Sequence, residues 1–225
     1  SLNAAIVGMA QDFVGSNNIN LFEPNGQFGT RLQGGKDSAS ERYIFTKLSK
    51  LTEKIYKKED LPILSYLDDD GVSVEPIFYV PIIPMILVNG SKGIGTGFST
   101  DVTCFNIEQI ITYIENNLMD QEFMNEEMVF KPYFNNFKGK ITNENDETTK
   151  FNVYGNYQIN KKKSTITVTE LPVGTWTDDY KQFLENCIDK KTLNIKDYND
   201  NSTNTDVNIE IIFTKGSIDK IEEKN

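Results

Sequence analysis

Arginine is scarce in this sequence, and its two occurrences fall where they could do chemistry. Of 23 basic side chains, all but Arg31 and Arg42 are lysines. Lysine serves wherever a point charge is enough, whereas gripping phosphate oxygens calls for a planar, two-pronged donor. The two arginines bracket a glycine-rich stretch, Gly34-Gly35-Lys36-Asp37-Ser38, and Arg42 adjoins Tyr43. An arginine beside a tyrosine is what phosphoryl transfer to a phenol requires. The phenol is the nucleophile, and the guanidinium stabilises charge on the phosphorus oxygens in the transition state. Spacing alone leaves a second reading open, in which Tyr43 is a half-buried core aromatic.

The rest of the composition narrows the field. The 225 residues contain no histidine, which excludes Ser-His-Asp and Cys-His catalysis and imidazole-built zinc sites within this sequence. Two cysteines, Cys104 and Cys187, are too few for a disulfide scaffold and read as reduced, buried small hydrophobes. A net charge of −10 argues against a nucleic-acid partner until the charge is divided. Residues 25–58 carry eight basic and three acidic side chains, a local +5 that leaves −15 for the remainder. That window suits polyphosphate contact, although charge alone favours a solvated lysine face. No apolar run reaches the ~20 residues of a membrane span, and the opening Ser1-Leu2-Asn3 reads as the middle of a helical pattern in a longer protein.

These residues need elements to hold them. Leu2, Ile6, Met9 and Phe13 recur at helical spacing and predict a helix over 2–14, ended by Gly15-Ser16-Asn17-Asn18. Turn formers fill 23–40, and Ile44, Leu48, Leu51 and Ile55 predict a second helix to about Tyr56. Ile63–Leu67 and Val72–Val80 read as strands around a solvated turn, Asp68-Asp69-Asp70-Gly71. The prolines hold Pro81–Val88 extended. Asn106 caps a helix with Ile107, Ile110, Ile111, Ile114 and Leu118 on one face, and Thr177 caps another through Ile188. Thr165–Leu171 and Val207–Phe213 alternate as strands, while 143–150 and 199–205 read as loops. The glycines of Asn89–Gly97 lack Gly-Lys-Ser/Thr and the Gly-x-Gly-x-x-Gly register, so a nucleotide loop is discounted. The fold class is α+β, with a boundary near residue 60.

Certain runs resemble a known family: Gly26-Gln27-Phe28-Gly29-Thr30-Arg31, Gly34-Gly35-Lys36-Asp37-Ser38-Ala39-Ser40 and Arg42-Tyr43-Ile44-Phe45-Thr46. They are similar to the catalytic-tyrosine segment of the type IIA DNA topoisomerases, within them the eukaryotic topoisomerase II branch. The likeness continues from Phe13–Asn18 through Glu75-Pro76, Pro81–Pro84, Asn89-Gly90, Gly93–Gly97, Asn136–Gly139 and Glu170–Trp176. It implies the C-terminal part of a winged-helix domain over 1–60, with helix 2–14 as recognition helix and the glycine-rich loop as wing. Part of an α/β tower domain over 61–225 would follow.

The resemblance also implies roles. Tyr43 matches the nucleophile that forms a 5′-phosphotyrosyl link, and Arg42 its transition-state stabiliser. Arg31 and Lys36 match wing residues near the cleaved backbone. Ser38, Ser40 and Lys92 are further candidate DNA contacts, and Ile94 matches an apolar wedge that bends the duplex. The implied protein is an ATP-dependent, nuclear, homodimeric isomerase acting on double-stranded DNA. Its magnesium and ATP would be bound by parts absent from this sequence, so the piece alone is expected to be inactive. A non-catalytic winged-helix DNA-binding module is the alternative, with a nucleotide enzyme behind it. Two departures stand out: Glu41 where many relatives carry proline, and Phe98 where tryptophan is common.

Overall fold

The computed structural model describes residues 1–119, 130–143 and 150–218. It is an α+β fold whose residues gather into two compact units interleaved along the chain. One comprises 1–12, 17–26 and 41–133, the other 13–16, 27–40 and 134–225. The contacts therefore do not divide the chain at residue 60. The glycine-rich loop clusters with the C-terminal half, while the tyrosine segment clusters with the chain up to Tyr133.

The first unit opens with α1 (Leu2–Ala10), shorter than its apolar spacing predicts. Asn17 ends it by donating its side-chain amide to the carbonyls of Gly8 (2.7 Å) and Gln11 (2.9 Å) at its C-terminus. The predicted helix from Ile44 does not start there. Residues 44–48 are extended, because Phe45 exchanges backbone hydrogen bonds with Asn25 and the Lys47 carbonyl accepts from the Glu23 N–H. Helix α2 (Lys50–Ile55) begins only after Ser49, whose hydroxyl accepts from the Thr52 N–H at 3.3 Å. Strands β1 (Tyr66–Asp69) and β2 (Val72–Pro76) flank the acidic turn as expected, with Asp68 Oδ1 accepting from the Gly71 N–H.

Pro81–Val88 is not extended throughout, since Met85–Val88 closes one helical turn, α3, directly after Pro84. A hairpin of β3 (Ser91–Gly95) and β4 (Phe98–Val102) follows. Asn106 caps α4 (Ile107–Met119) through the N–H groups of Glu108 and Gln109, as its position predicts. Ile110 fills the core with Ile19, Ile55 and Val88, and Ile107 and Ile114 pack beside it. Ile111 and Leu118, assigned to the same face, are exposed.

In the second unit, β7 (Asn156–Asn160), β8 (Thr165–Glu170), β10 (Ile209–Phe213) and β9 (Ile195–Asp200) form an antiparallel sheet in that order. A separate hairpin joins β5 (Lys140–Asn143) to β6 (Phe151–Tyr154). Ile209, Ile211 and Phe213 alternate inward from β10 against Leu184 and Cys187 of α5 (Thr177–Asp189). Residues 199–200, expected in a loop, belong to β9, and of the loop expected at 143–150 residues 144–149 lie outside the described residues. Thr177 is not the cap of α5. Its N–H and that of Asp178 donate to the carbonyls of Arg31 (3.4 Å) and Leu32 (3.0 Å), so another stretch of backbone satisfies the helix terminus.

Both cysteines are free and buried, and burial pushes the Cys104 thiol up to about 11. Leu184 is fully buried between α5 and the sheet. Leu184→Ala is expected to destabilise the protein by about 2–5 kcal/mol, transfer and cavity terms together. Urea denaturation checks this as a lower midpoint at unchanged slope.

Candidate nucleic-acid interface

Tyr43 closes a 3₁₀ turn, Glu41–Tyr43, between the glycine-rich loop and the extended 44–48 segment. The Phe45 backbone is tied on both sides to Asn25, so little slack remains after the tyrosine. Before it, Glu41 Oε2 accepts from the Asn3 side-chain amide of α1 at 2.5 Å. The tyrosine is 68% exposed, which disposes of the core-aromatic reading. The Arg42 guanidinium lies over its ring, 5.2 Å from the centroid. Arg42 is itself exposed.

Ile94 occupies the last turnward position but one of β3 and is 91% exposed. The hairpin that carries it is anchored at its base by amide chemistry. Asn89, two residues before β3, accepts from the Ile19 N–H at 2.9 Å and donates to the Ile19 carbonyl at 2.8 Å, so its side chain pairs with backbone like a short strand. Asn18 donates to the carbonyls of Val88 (2.9 Å) and Tyr133 (3.0 Å). The asparagines of the Ser16–Asn18 and Asn89-Gly90 motifs thus join the stretch after α1 to the root of the hairpin. Lys92 is exposed on that hairpin, with Asp101 at 3.9 Å.

Arg31 is placed differently from a phosphate ligand. It is 6% exposed, and its guanidinium forms a buried ion pair with Glu170, itself 1% exposed. A further hydrogen bond from the guanidinium reaches the Thr205 carbonyl at 3.3 Å. Glu170 also accepts from the backbone N–H groups of Lys138 (3.1 Å) and Leu171 (2.9 Å), so each charge is fully matched. The resemblance implies a place for Arg31 near the cleaved backbone, but a carboxylate satisfies the same fork and here fills it. Glu170 is the residue this expectation lacked.

The loop around Arg31 is closed just as tightly. Asp37 accepts from the Thr30 N–H at 2.8 Å and from its hydroxyl at 2.5 Å. Gly34 lies against the Trp176 indole, where any Cβ would overlap the ring. That loop carries Lys36 and Ser40 exposed and Ser38 half-buried. Tyr43, Arg42, Lys92 and Ile94 belong to the first unit; Arg31, Lys36, Ser38 and Ser40 belong to the second.

The comparisons with known proteins agree in kind. A family model that describes the A subunit of DNA gyrase/topoisomerase IV matches residues 1–225. A DNA topoisomerase 2 of Plasmodium falciparum is 44% identical over 228 residues, covering 100% of this chain and 16% of that protein. A mitochondrial DNA topoisomerase 2 of Dictyostelium discoideum is 42% identical over 223 residues, 99% of this chain and 17% of that protein. The crystal structure of the Plasmodium falciparum topoisomerase II DNA-binding, cleavage and re-ligation domain superposes with a TM-score of 0.90 at 42% identity, covering 99% of this chain and 30% of that one. The chain therefore spans about a sixth of the length of such relatives.

Glu170→Ala leaves the Arg31 guanidinium buried without its counter-charge and is expected to cost about 3–5 kcal/mol. The double replacement Arg31→Met with Glu170→Leu is expected to cost much less, and denaturant titration of both variants separates the two outcomes. Asn89→Ala removes both bonds to Ile19. It is expected to speed hydrogen exchange at the Ile19 N–H while leaving β8 and β10 amides protected.

Proposed function

The chain belongs to the DNA gyrase/topoisomerase IV A-subunit family, and we propose that it is the tyrosine-bearing part of a type II DNA topoisomerase. The observation that carries this reading is an exposed Tyr43 with the Arg42 guanidinium over its ring, in a histidine-free sequence. In the proposed reaction the Tyr43 Oη attacks a DNA phosphorus. The P–O3′ bond breaks, the phenolic proton passes to water, the departing O3′ takes a proton up from water, and the strand ends as a 5′-phosphotyrosyl ester and a free 3′-hydroxyl. Resealing reverses these steps. A phenol, with a pKa near ~10, leaves more readily than an alkyl alcohol, so the stored ester can be displaced by the 3′-hydroxyl without further input. Arg42 stabilises the charge that builds on the phosphorus oxygens in both directions.

The remaining candidates take supporting parts. Lys36, Ser38 and Ser40 on the glycine-rich loop, and Lys92 on the hairpin, would contact the DNA backbone. Arg31 would act through the loop it anchors. Ile94 would enter a base step and bend the duplex. Two copies of the full protein would each supply one Tyr43, cut both strands, pass a second duplex and religate, in the nucleus. Among the described residues no three His, Cys, Asp or Glu side chains converge on a metal position. Magnesium and ATP would be held by other parts of the longer protein. A non-catalytic DNA-binding module would need no exposed phenol beside a guanidinium.

In the full-length protein, Tyr43→Phe is expected to retain DNA binding and to abolish the covalent protein–DNA complex trapped by denaturing detergent. Adducts persisting in that variant would refute the assignment. Arg42→Ala is expected to slow cleavage by about 10²–10³, the scale of losing one transition-state donor. Ile94→Ala is expected to keep the fold and reduce the bend of bound DNA, measured by energy transfer between the duplex ends.

A further inference from the structure

The hairpin that carries Ile94 has a second face. Directly paired residues of antiparallel strands share a face and successive residues alternate. Lys92 pairs with Asp101 and Ile94 with Ser99, which sets one face; Gly93 pairs with Thr100 and Gly95 with Phe98, which sets the other. Phe98 is 85% exposed at the tip of this second face. Its direct partner is Gly95 and its diagonal neighbour is Gly93, so the strand positions across from it carry no side chain.

Nothing among the described residues accounts for those two glycines. Neither has a positive φ. A Cβ on Gly93 would meet nothing within 4 Å, and one on Gly95 only the Phe98 carbonyl at 3.8 Å, an ordinary contact. Glycine weakens a strand, and here it does so with no turn or close packing in return. The missing side chains clear a floor next to an exposed aromatic, on the face opposite the wedge.

We propose that Phe98, with the floor at Gly93 and Gly95, is a second DNA contact, which takes the apolar C–H face of a deoxyribose on the groove wall beside the step that Ile94 opens. This rests on the topoisomerase reading above and adds a subsite to it. The occupant follows from three features. The face is continuous, around a two-residue turn, with the one assigned to DNA. The exposed ring and the side-chain-free strand across from it carry no charge to select a base. Ile94 and Phe98 point to opposite sides of one ribbon, so they cannot share a base step, and the second must reach the flank. Such a contact reads no sequence; it holds the bent duplex on the hairpin.

The test uses the full-length protein with a dye-labelled duplex. Phe98→Ala and Gly95→Ala are each expected to weaken binding about tenfold, the scale of losing one aromatic stacking contact with nucleic acid. Both should lower the bent fraction while leaving the melting temperature of the protein unchanged. Gly95→Ala is the sharper probe, because the fold has room for the methyl group. Should it lower the melting temperature, a second measurement decides: a benzophenone photo-cross-linker replacing Phe98 is expected to give a DNA adduct within a few nucleotides of the cleavage site. Cross-links to protein alone, or parental binding and bending by both variants, overturn the proposal. Covalent complex surviving Tyr43→Phe would instead sink the topoisomerase reading, so the two failures are distinguishable.

Discussion

A buried guanidinium must meet a carboxylate, and the pairing of Arg31 with Glu170 sets the shape of everything around the glycine-rich loop. Leaving either charge unmatched would cost several kcal/mol, so loop and β8 are held in one relation. The consequences spread along the backbone. With Arg31 fixed, its carbonyl and that of Leu32 lie where the first N–H groups of α5 need acceptors. The helix needs no side-chain cap, and the Trp176 indole before it settles on Gly34. The sequence's two arginines are thereby divided between two tasks. One is consumed in holding the loop, and the other lies exposed against a phenol.

The first unit solves the same problem of exact placement with neutral groups. Asn17, Asn18 and Asn89 commit their side-chain amides to backbone carbonyls and N–H groups that no regular ladder reaches. Amides suit that task because each offers a donor and an acceptor in a fixed plane and brings no charge to desolvate. The outcome is a hairpin with a fixed root and an exposed, apolar tip. An isolated two-stranded hairpin is marginal in water, so a fixed root is what allows the tip to remain uncovered and available.

Charge distribution follows the same logic. The acidic excess of the chain is partly neutralised within the fold: Lys181 lies 2.8 Å from Asp178 and 3.1 Å from Asp200. Its hydrogen bond to Asp178 raises the Lys181 pKa; burial opposes this, and the bond to Asp200 and the charges of both carboxylates add to the rise. Burial would raise the Asp200 pKa, but bonds from Ser202 and Lys181 outweigh it and hold the carboxyl below its usual range. Arg42, by contrast, keeps its guanidinium exposed, where a phosphate can reach it.

The available chemistry is fixed by residue type before any folding. Type decides that Tyr43 can be a nucleophile and Arg42 a phosphate ligand, and no neighbour can alter the absence of histidine. Local signals were equally legible where a local cause suffices, as with Asn106 capping α4 or the Asp68–Gly71 turn. Every feature whose cause lies far along the chain needed the folded structure. Residues 44–48 carry a helical pattern yet lie extended, because Asn25 and Glu23 offer their backbone first. Thr177 has the composition of a cap and is none, because the carbonyls of Arg31 and Leu32, far earlier in the chain, occupy that role. Arg31 is indistinguishable from Arg42 by type, and only the presence of Glu170, 139 residues away, separates a buried anchor from an exposed guanidinium. A guanidinium binds whichever oxyanion the fold brings to it, and sequence spacing does not record which one that is.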